Sequence, residues 1–156
     1  MNSIWFFDTE MFEGMTELEE INMTNLGMSG YIGNDFVNLK NLKYVDLTGN
    51  NLTGSLPNID AWKDMKNLRM LQLGENNFTG KTPDIWEDPS CFVNLEYMSI
   101  NNNSFGDVMH PMPILYGAQN LEAIDLSDNK FNGPYPMEYL SNSTFQKLLY
   151  VAANFN

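Results

Sequence analysis

At 156 residues the chain has the length of one domain, and 43% of it is apolar, enough to build a core. Twenty acidic residues against eight basic ones give a net charge of −12, which disfavours nucleic acid because phosphates need cationic neutralisation. A single cysteine excludes an internal disulfide, and no apolar run approaches the length of a membrane-spanning helix.

The first residues, MNSIWFFDTEMFEG, lack the basic n-region of a secretory leader, and their apolar run is only Ile4 to Phe7. From Leu18 onward a frame repeats. It reads Leu42-x-x-Val45-x-Leu47-x-x-Asn50-x-Leu52-x-Gly54-x-Leu56-Pro57. It returns at Leu68-x-x-Leu71-x-Leu73-x-x-Asn76-x-Phe78-x-Gly80-x-Thr82-Pro83 and at Leu121-x-x-Ile124-x-Leu126-x-x-Asn129-x-Phe131-x-Gly133-x-Tyr135-Pro136. Coils with defects open at Leu18 and Leu95, and a cut-off coil opens at Leu148. Starts at 18, 42, 68, 95, 121 and 148 are spaced by 24, 26, 27, 26 and 27 residues. Residues 1–17 read as the tail of a preceding coil, so the expectation is one domain over 1–156, cut from a longer array.

Each column of the frame has a physical task. In Leu-x-x-Leu-x-Leu the alternating residues point inward from a short strand. Stacked coils pair these strands into a parallel sheet. Asn50, Asn76, Asn103, Asn129 and Asn156 follow the strand, where an amide can donate to and accept from backbone groups that are otherwise buried unpaired. Leu26 interrupts this ladder, so a looser turn is expected in the first coil. Gly30, Gly54, Gly80 and Gly133 suit a tight bend. Met15, Leu39, Met65, Phe92, Ala118 and Phe145, preceded by Phe12, Phe36 and Trp62 in the earlier coils, form an apolar outer column. Their spacing of three predicts 3₁₀ or short helical turns packed inward. Trp5 and Trp86 read as further core, Cys91 as a small buried filler, and the lone His110, beside prolines, as structural.

The segments NNLTGSLP from Asn50, NNFTGKTP from Asn76 and NKFNGPYP from Asn129 resemble the plant-type leucine-rich repeat of receptor-like kinases, receptor-like proteins and polygalacturonase inhibitors. The repeat period falls in the range of about 20–29 residues typical of such repeats. The resemblance covers residues 18–156. It implies an α/β repeat class: a right-handed solenoid with a parallel sheet on the concave face and a 3₁₀, short helical or irregular convex side. It also implies a second short strand at the Gly-x-Ile-Pro stretch. His110 and Gly33 replace the frame's proline, and the family's cysteine-paired end caps are absent.

The outward strand positions are the candidate ligand-binding residues. One column reads Glu20, Tyr44, Met70, Tyr97, Ala123, Tyr150, and the next Asn22, Asp46, Gln72, Ser99, Asp125, Ala152. Two further columns carry Glu75 and Asp128. None of the four contains Lys or Arg. Tyr44, Asp46, Gln72, Glu75, Tyr97, Asp125 and Asp128 are therefore the expected contacts, suited to a basic or polar partner. The three tyrosines fall on non-adjacent coils and form no continuous stripe. The acidic groups could draw a weak cation, but no dense Asp-x-Asp loop is present, and no metal or cofactor is expected.

Five Asn-x-Ser/Thr sequons occur, at Asn22, Asn51, Asn77, Asn102 and Asn142. Glycan on Asn22 or Asn102 would stand on the strand face. No nucleophile–base pair, ligand cluster or phosphate loop is visible, so no enzyme is expected. The reading is a non-catalytic recognition module for a protein, peptide or glycan. It fits the extracellular region of a receptor-like protein that makes no membrane contact through this segment, and end-to-end association is expected if the array is truncated. The alternatives are a cytosolic repeat scaffold, and a secreted enzyme inhibitor, which would be expected to need basic residues on the concave face.

Overall fold

A computed structural model describes residues 6–57, 62, 64–82, 91–106, 118–132 and 147–154. The chain is a solenoid of stacked coils carrying two parallel sheets. Six strands of three residues, β2 (Glu20–Asn22), β4 (Tyr44–Asp46), β6 (Met70–Gln72), β8 (Tyr97–Ser99), β10 (Ala123–Asp125) and β11 (Tyr150–Ala152), form the concave sheet in chain order. Every pairing is parallel and column-true: Glu20 lies beside Tyr44, Tyr44 beside Met70, and Tyr97 beside Ala123. The middle residue of each strand points inward. Val45 and Leu71 are fully buried, and Ile21, Met98 and Ile124 nearly so.

The second sheet lies on one flank. Its strands are β1 (Phe6–Phe7), β3 (Ser29–Gly30), β5 (Asn51–Gly54), β7 (Asn77–Gly80) and β9 (Ser104–Phe105). The flank strand therefore occupies Asn-Leu-Thr-Gly rather than the Gly-x-Leu-Pro stretch just after it. The Gly column ends or closes these strands at positive φ, +83° at both Gly54 and Gly80. Register here slides. Gly30 pairs with Leu52, Gly54 with Phe78, and Gly80 with Phe105, so each Gly meets the next coil's residue two places earlier in the frame. A slide of two keeps inward residues inward, because side chains alternate with a period of two.

Between the sheets runs one core. Phe78, Phe105 and Phe131 stack through successive coils at centroid distances of 6.1 and 6.4 Å. On the convex side Phe36, Trp62 and Phe92 interlock at 6.2 and 5.9 Å. Cys91 is buried beside them, as its filler reading requires. The helical content of the described residues is two 3₁₀ segments, Thr9–Phe12 and Asn34–Asn38, so strands and bends take the place of α-helix in this repeat. The outer apolar column is buried at Leu39, Met65, Phe92 and Ala118. Met15 departs from it and is 50% exposed, beside an open hollow lined by Glu10, Glu13 and Thr16. Trp5, Trp86, His110, Phe145 and Gly133 lie outside the described residues.

Two amide ladders tie the coils together. In the inner one, Asn76 donates to the carbonyls of Leu47, Leu73 and Gly74 at 2.9, 3.2 and 3.0 Å, while its oxygen accepts from the Leu52 N–H at 3.0 Å. Asn50, Asn103 and Asn129 repeat the pattern. Asn156 lies outside the described residues. Where Leu26 breaks the ladder its side chain turns out, 54% exposed. The turn is not left open: Asn50 Oδ1 accepts from both Leu26 and Met28 N–H, at 3.2 and 3.0 Å. The outer ladder uses the residue before the repeat starts at 42, 68, 95 and 121. Asn41, Asn67, Asn94 and Asn120 donate to the carbonyls of Thr16, Lys40, Lys66 and Val93, one coil back.

Candidate functional site

The concave sheet presents its first and third strand residues outward, and the column-true register converts sequence columns into rows of neighbours. Tyr44, Tyr97 and Tyr150 are 38%, 42% and 57% exposed. Because strands in a sheet lie about 4.8 Å apart, Tyr97 and Tyr150 stand roughly 10 Å apart with Ala123 between them. The short alanine side chain leaves a hollow of about 250 Å³, lined by Gln72, Tyr97, Met98, Ser99, Asn101, Ala123, Ile124, Asp125 and Tyr150. The tyrosines do not form a stripe, and their separation is what makes a hollow between two of them.

Three of the expected contact residues, Gln72, Tyr97 and Asp125, come together in this hollow. Tyr44 and Asp46 lie on β4, outside its lining. Glu75 and Asp128 are exposed in the turn just past the strands, also outside the lining. Their backbone is left-handed there, with φ of +56° and +55°, and Asn25, Gly49 and Asn102 take the same conformation in their coils. Asn, Asp and Gly tolerate this region; Glu75 is the exception in the column.

Two of the acidic candidates have a local task as well. Asp46 Oδ1 accepts from the Thr48 N–H at 3.0 Å, and Asp125 Oδ1 from the Ser127 N–H at 3.0 Å and from its hydroxyl. Each closes an Asx turn that steers the chain out of the strand. Gly74 leaves room for Asn101 of the hollow: a Cβ there would sit 2.0 Å from the side-chain oxygen of Asn101.

The electrostatics of the face are one-sided. The nearest cations, Lys43 and Arg69, stand just before the strands and are paired with Glu19 at 2.7 Å and Glu96 at 3.2 Å. The next position in that row is Glu122, whose Oε2 accepts from the Tyr97 hydroxyl at 2.8 Å. That hydrogen bond, then the charge of Glu122 and more weakly burial and Glu96, raise the Tyr97 phenol above its ordinary value of 10.0. Since a raised phenol favours the neutral form, the contact is whole below the ordinary phenol range and is lost as pH climbs through the raised value.

Tyr150, Ala123 and Asn101 were missing from the expected contacts. The signal was present: all three stand in the outward columns, and adjacency of coils 95, 121 and 148 places them together. Of the sequon residues, Asn22 is exposed on β2 and Asn102 exposed in the turn after β8. Asn51 and Asn77 are exposed at the starts of β5 and β7 on the flank. Asn142 lies outside the described residues. Among the described residues no three His, Cys, Asp or Glu side chains gather as metal ligands, and no helix is long and apolar enough to cross a membrane.

The leucine-rich repeat family model matches residues 41–60, 67–88 and 120–148. Receptor-like protein 41 of Arabidopsis thaliana is 33% identical over 144 residues, which is 92% of this chain and 16% of that protein. Among solved structures, the plant peptide hormone receptor RGFR1 in complex with RGF2 superposes with a TM-score of 0.83 at 22% identity, over 97% of this chain and 22% of that one. A TDR receptor superposes with a TM-score of 0.80 at 23% identity, over 97% of this chain and 26% of that one. Identities this low speak for the fold alone. The repeat frame, the two parallel sheets and the family match make the chain a leucine-rich-repeat protein, similar in sequence to a plant receptor-like protein and in fold to plant receptor ectodomains.

Proposed function

We propose that the chain is a non-catalytic recognition segment of a receptor ectodomain whose concave face binds a peptide or protein ligand. The observation that carries this reading is the concave sheet itself: six column-true strands with exposed tyrosines, a hollow among them, and no cation in the outward columns. Aromatic anchors beside satisfied polar groups are the make-up of a protein-binding surface. RGFR1, similar in fold, is a peptide hormone receptor solved with RGF2, and HAESA was solved with the peptide hormone IDA and the co-receptor SERK1. An extracellular setting agrees with the four exposed sequons, Asn22, Asn51, Asn77 and Asn102.

The test is to express the chain through a secretory pathway, read its mass before and after glycosidase, and pan it against a displayed peptide library. A mass that drops on treatment and an enrichment of basic peptides are expected. The variant Asp46→Asn/Glu75→Gln/Asp125→Asn removes three charges yet leaves Asx-turn acceptors in place, and should weaken those peptides roughly tenfold or more. Unmodified protein would overturn the extracellular reading. Peptides that bind the variant equally well would remove the acidic concave face from the account.

A further inference from the structure

We infer that the hollow between Tyr97 and Tyr150 is a socket for one guanidinium-bearing side chain of the ligand. The inference rests on the concave-face reading above and names the chemistry of its central contact. Three observations lead to it.

The first is shape. At about 250 Å³ the hollow has room for roughly eight waters at about 30 Å³ each, so a single long side chain displaces most of them. Ala123 makes this room, since it is the short residue in a row that otherwise carries tyrosine on either side.

The second is hydrogen-bond polarity. Two of the three hydroxyl donors that line the hollow, and that of Ser127 just past it, are already used inside the protein. Tyr97 gives its proton to Glu122, Ser127 gives its hydroxyl proton to Asp125, and Ser99 gives its own to Asn101. What these groups leave toward a ligand is acceptor capacity. The Tyr97 oxygen keeps its lone pairs, and Asp125 Oδ2 has no hydrogen-bond partner among the described residues. A guanidinium has five N–H donors and no acceptor, which matches these acceptors, while the Gln72 and Asn101 amides and the Tyr150 hydroxyl keep donors for the carbonyls of the ligand backbone.

The third is charge and aromaticity. Asp125 lines the hollow, Glu122 stands behind Tyr97, and neither is paired with a Lys or Arg among the described residues. Two exposed phenol rings offer cation–π partners on either side of a planar cation.

The probes are acetyl-arginine-amide and its neutral isostere acetyl-citrulline-amide, titrated into isotope-labelled chain and followed by NMR. The arginine probe should shift the amide resonances of Tyr97, Ala123 and Tyr150 saturably. The citrulline probe should bind about tenfold more weakly, the difference typical of losing a charge-assisted hydrogen bond. Ala123→Leu fills the hollow from an outward-facing position without altering any charge, and should abolish the shifts while the remaining spectrum certifies the fold. Tyr150→Ala should weaken them. Equal binding of the two probes, or shifts that persist in Ala123→Leu, would overturn the socket. Saturable shifts confined to β4, around Tyr44 and Asp46, would overturn it too, yet leave the concave-face reading standing. Peptides from the library panning that bind while the arginine probe finds no site would do the same.

Discussion

The two sheets of this solenoid are built from the same coils and obey different rules. On the concave side every strand meets its neighbours in one frame, residue for residue, across six coils. On the flank, β5 gives its first two residues to β3 and its last two to β7. β7 likewise gives its first two to β5 and its last two to β9. The concave strand is pinned from both ends, by buried leucines and by the inner asparagines just after it. The flank strand is held by one buried aromatic or aliphatic residue and a left-handed glycine, so it can step by two places per coil without turning a side chain to the wrong face. Straight rows suit a surface that must present fixed columns to a partner. A sliding ladder suits a wall that only has to close.

Three variants break or sharpen this contrast. Phe105→Ala strikes the flank wall, where Phe105 is sandwiched between Phe78 and Phe131 and fully buried. It should cost ~4 kcal/mol in urea unfolding. Amide exchange should rise across 51–54 and 77–80 before it rises in the concave strands; simultaneous loss in both sheets would mean that the two are one cooperative unit. Asn76→Ala strikes the seam between the sheets. It leaves the Gly74 carbonyl and the Leu52 N–H without their side-chain partner, takes one of two amide donors from the Leu47 and Leu73 carbonyls, and should cost about 2 kcal/mol in the same assay. A cost below half a kilocalorie would show that water enters the turn and that the ladder is ornamental. Glu75→Asn is the smallest. It puts a residue tolerant of left-handed backbone where φ is +56°, and should add about 0.5 kcal/mol. A loss instead would show that the Glu75 side chain has a stabilising role of its own.

Much of the fold was legible because each inward position repeats a residue type at a fixed place. The concave strands, the inner ladder and the buried outer column from Leu39 to Ala118 follow from that alone. Sequence reasoning passed over Asn41, Asn67, Asn94 and Asn120, although an asparagine before four successive repeat starts is as regular as the inner ladder. Apolar periodicity had absorbed attention, and a polar column at the surface reads as solvation. Met15 was expected to be buried by analogy with Leu39, yet half of its surface is open beside the hollow under the first coils. The flank register was not legible at all, since a slide of two leaves the inward pattern unchanged. For the candidate hollow, the outward columns contain most of its lining, but the selection favoured charge. The contribution of Ala123 lies in what it lacks, and only pairing with Tyr97 and Tyr150 reveals that.

The inner asparagine also sets a clock. Asn50 binds the Met23 carbonyl and the Leu26 and Met28 N–H groups, all of which precede it by a coil, and Asn76 does the same for Leu47 and Leu52. Each coil's asparagine ties part of its own turn, and the next coil's asparagine completes it some two dozen residues later. At a synthesis rate of about 5–20 residues per second, each coil emerging from the ribosome waits roughly one to five seconds for its fastener. The nascent chain therefore zips in one direction, always trailing a single partly fastened coil.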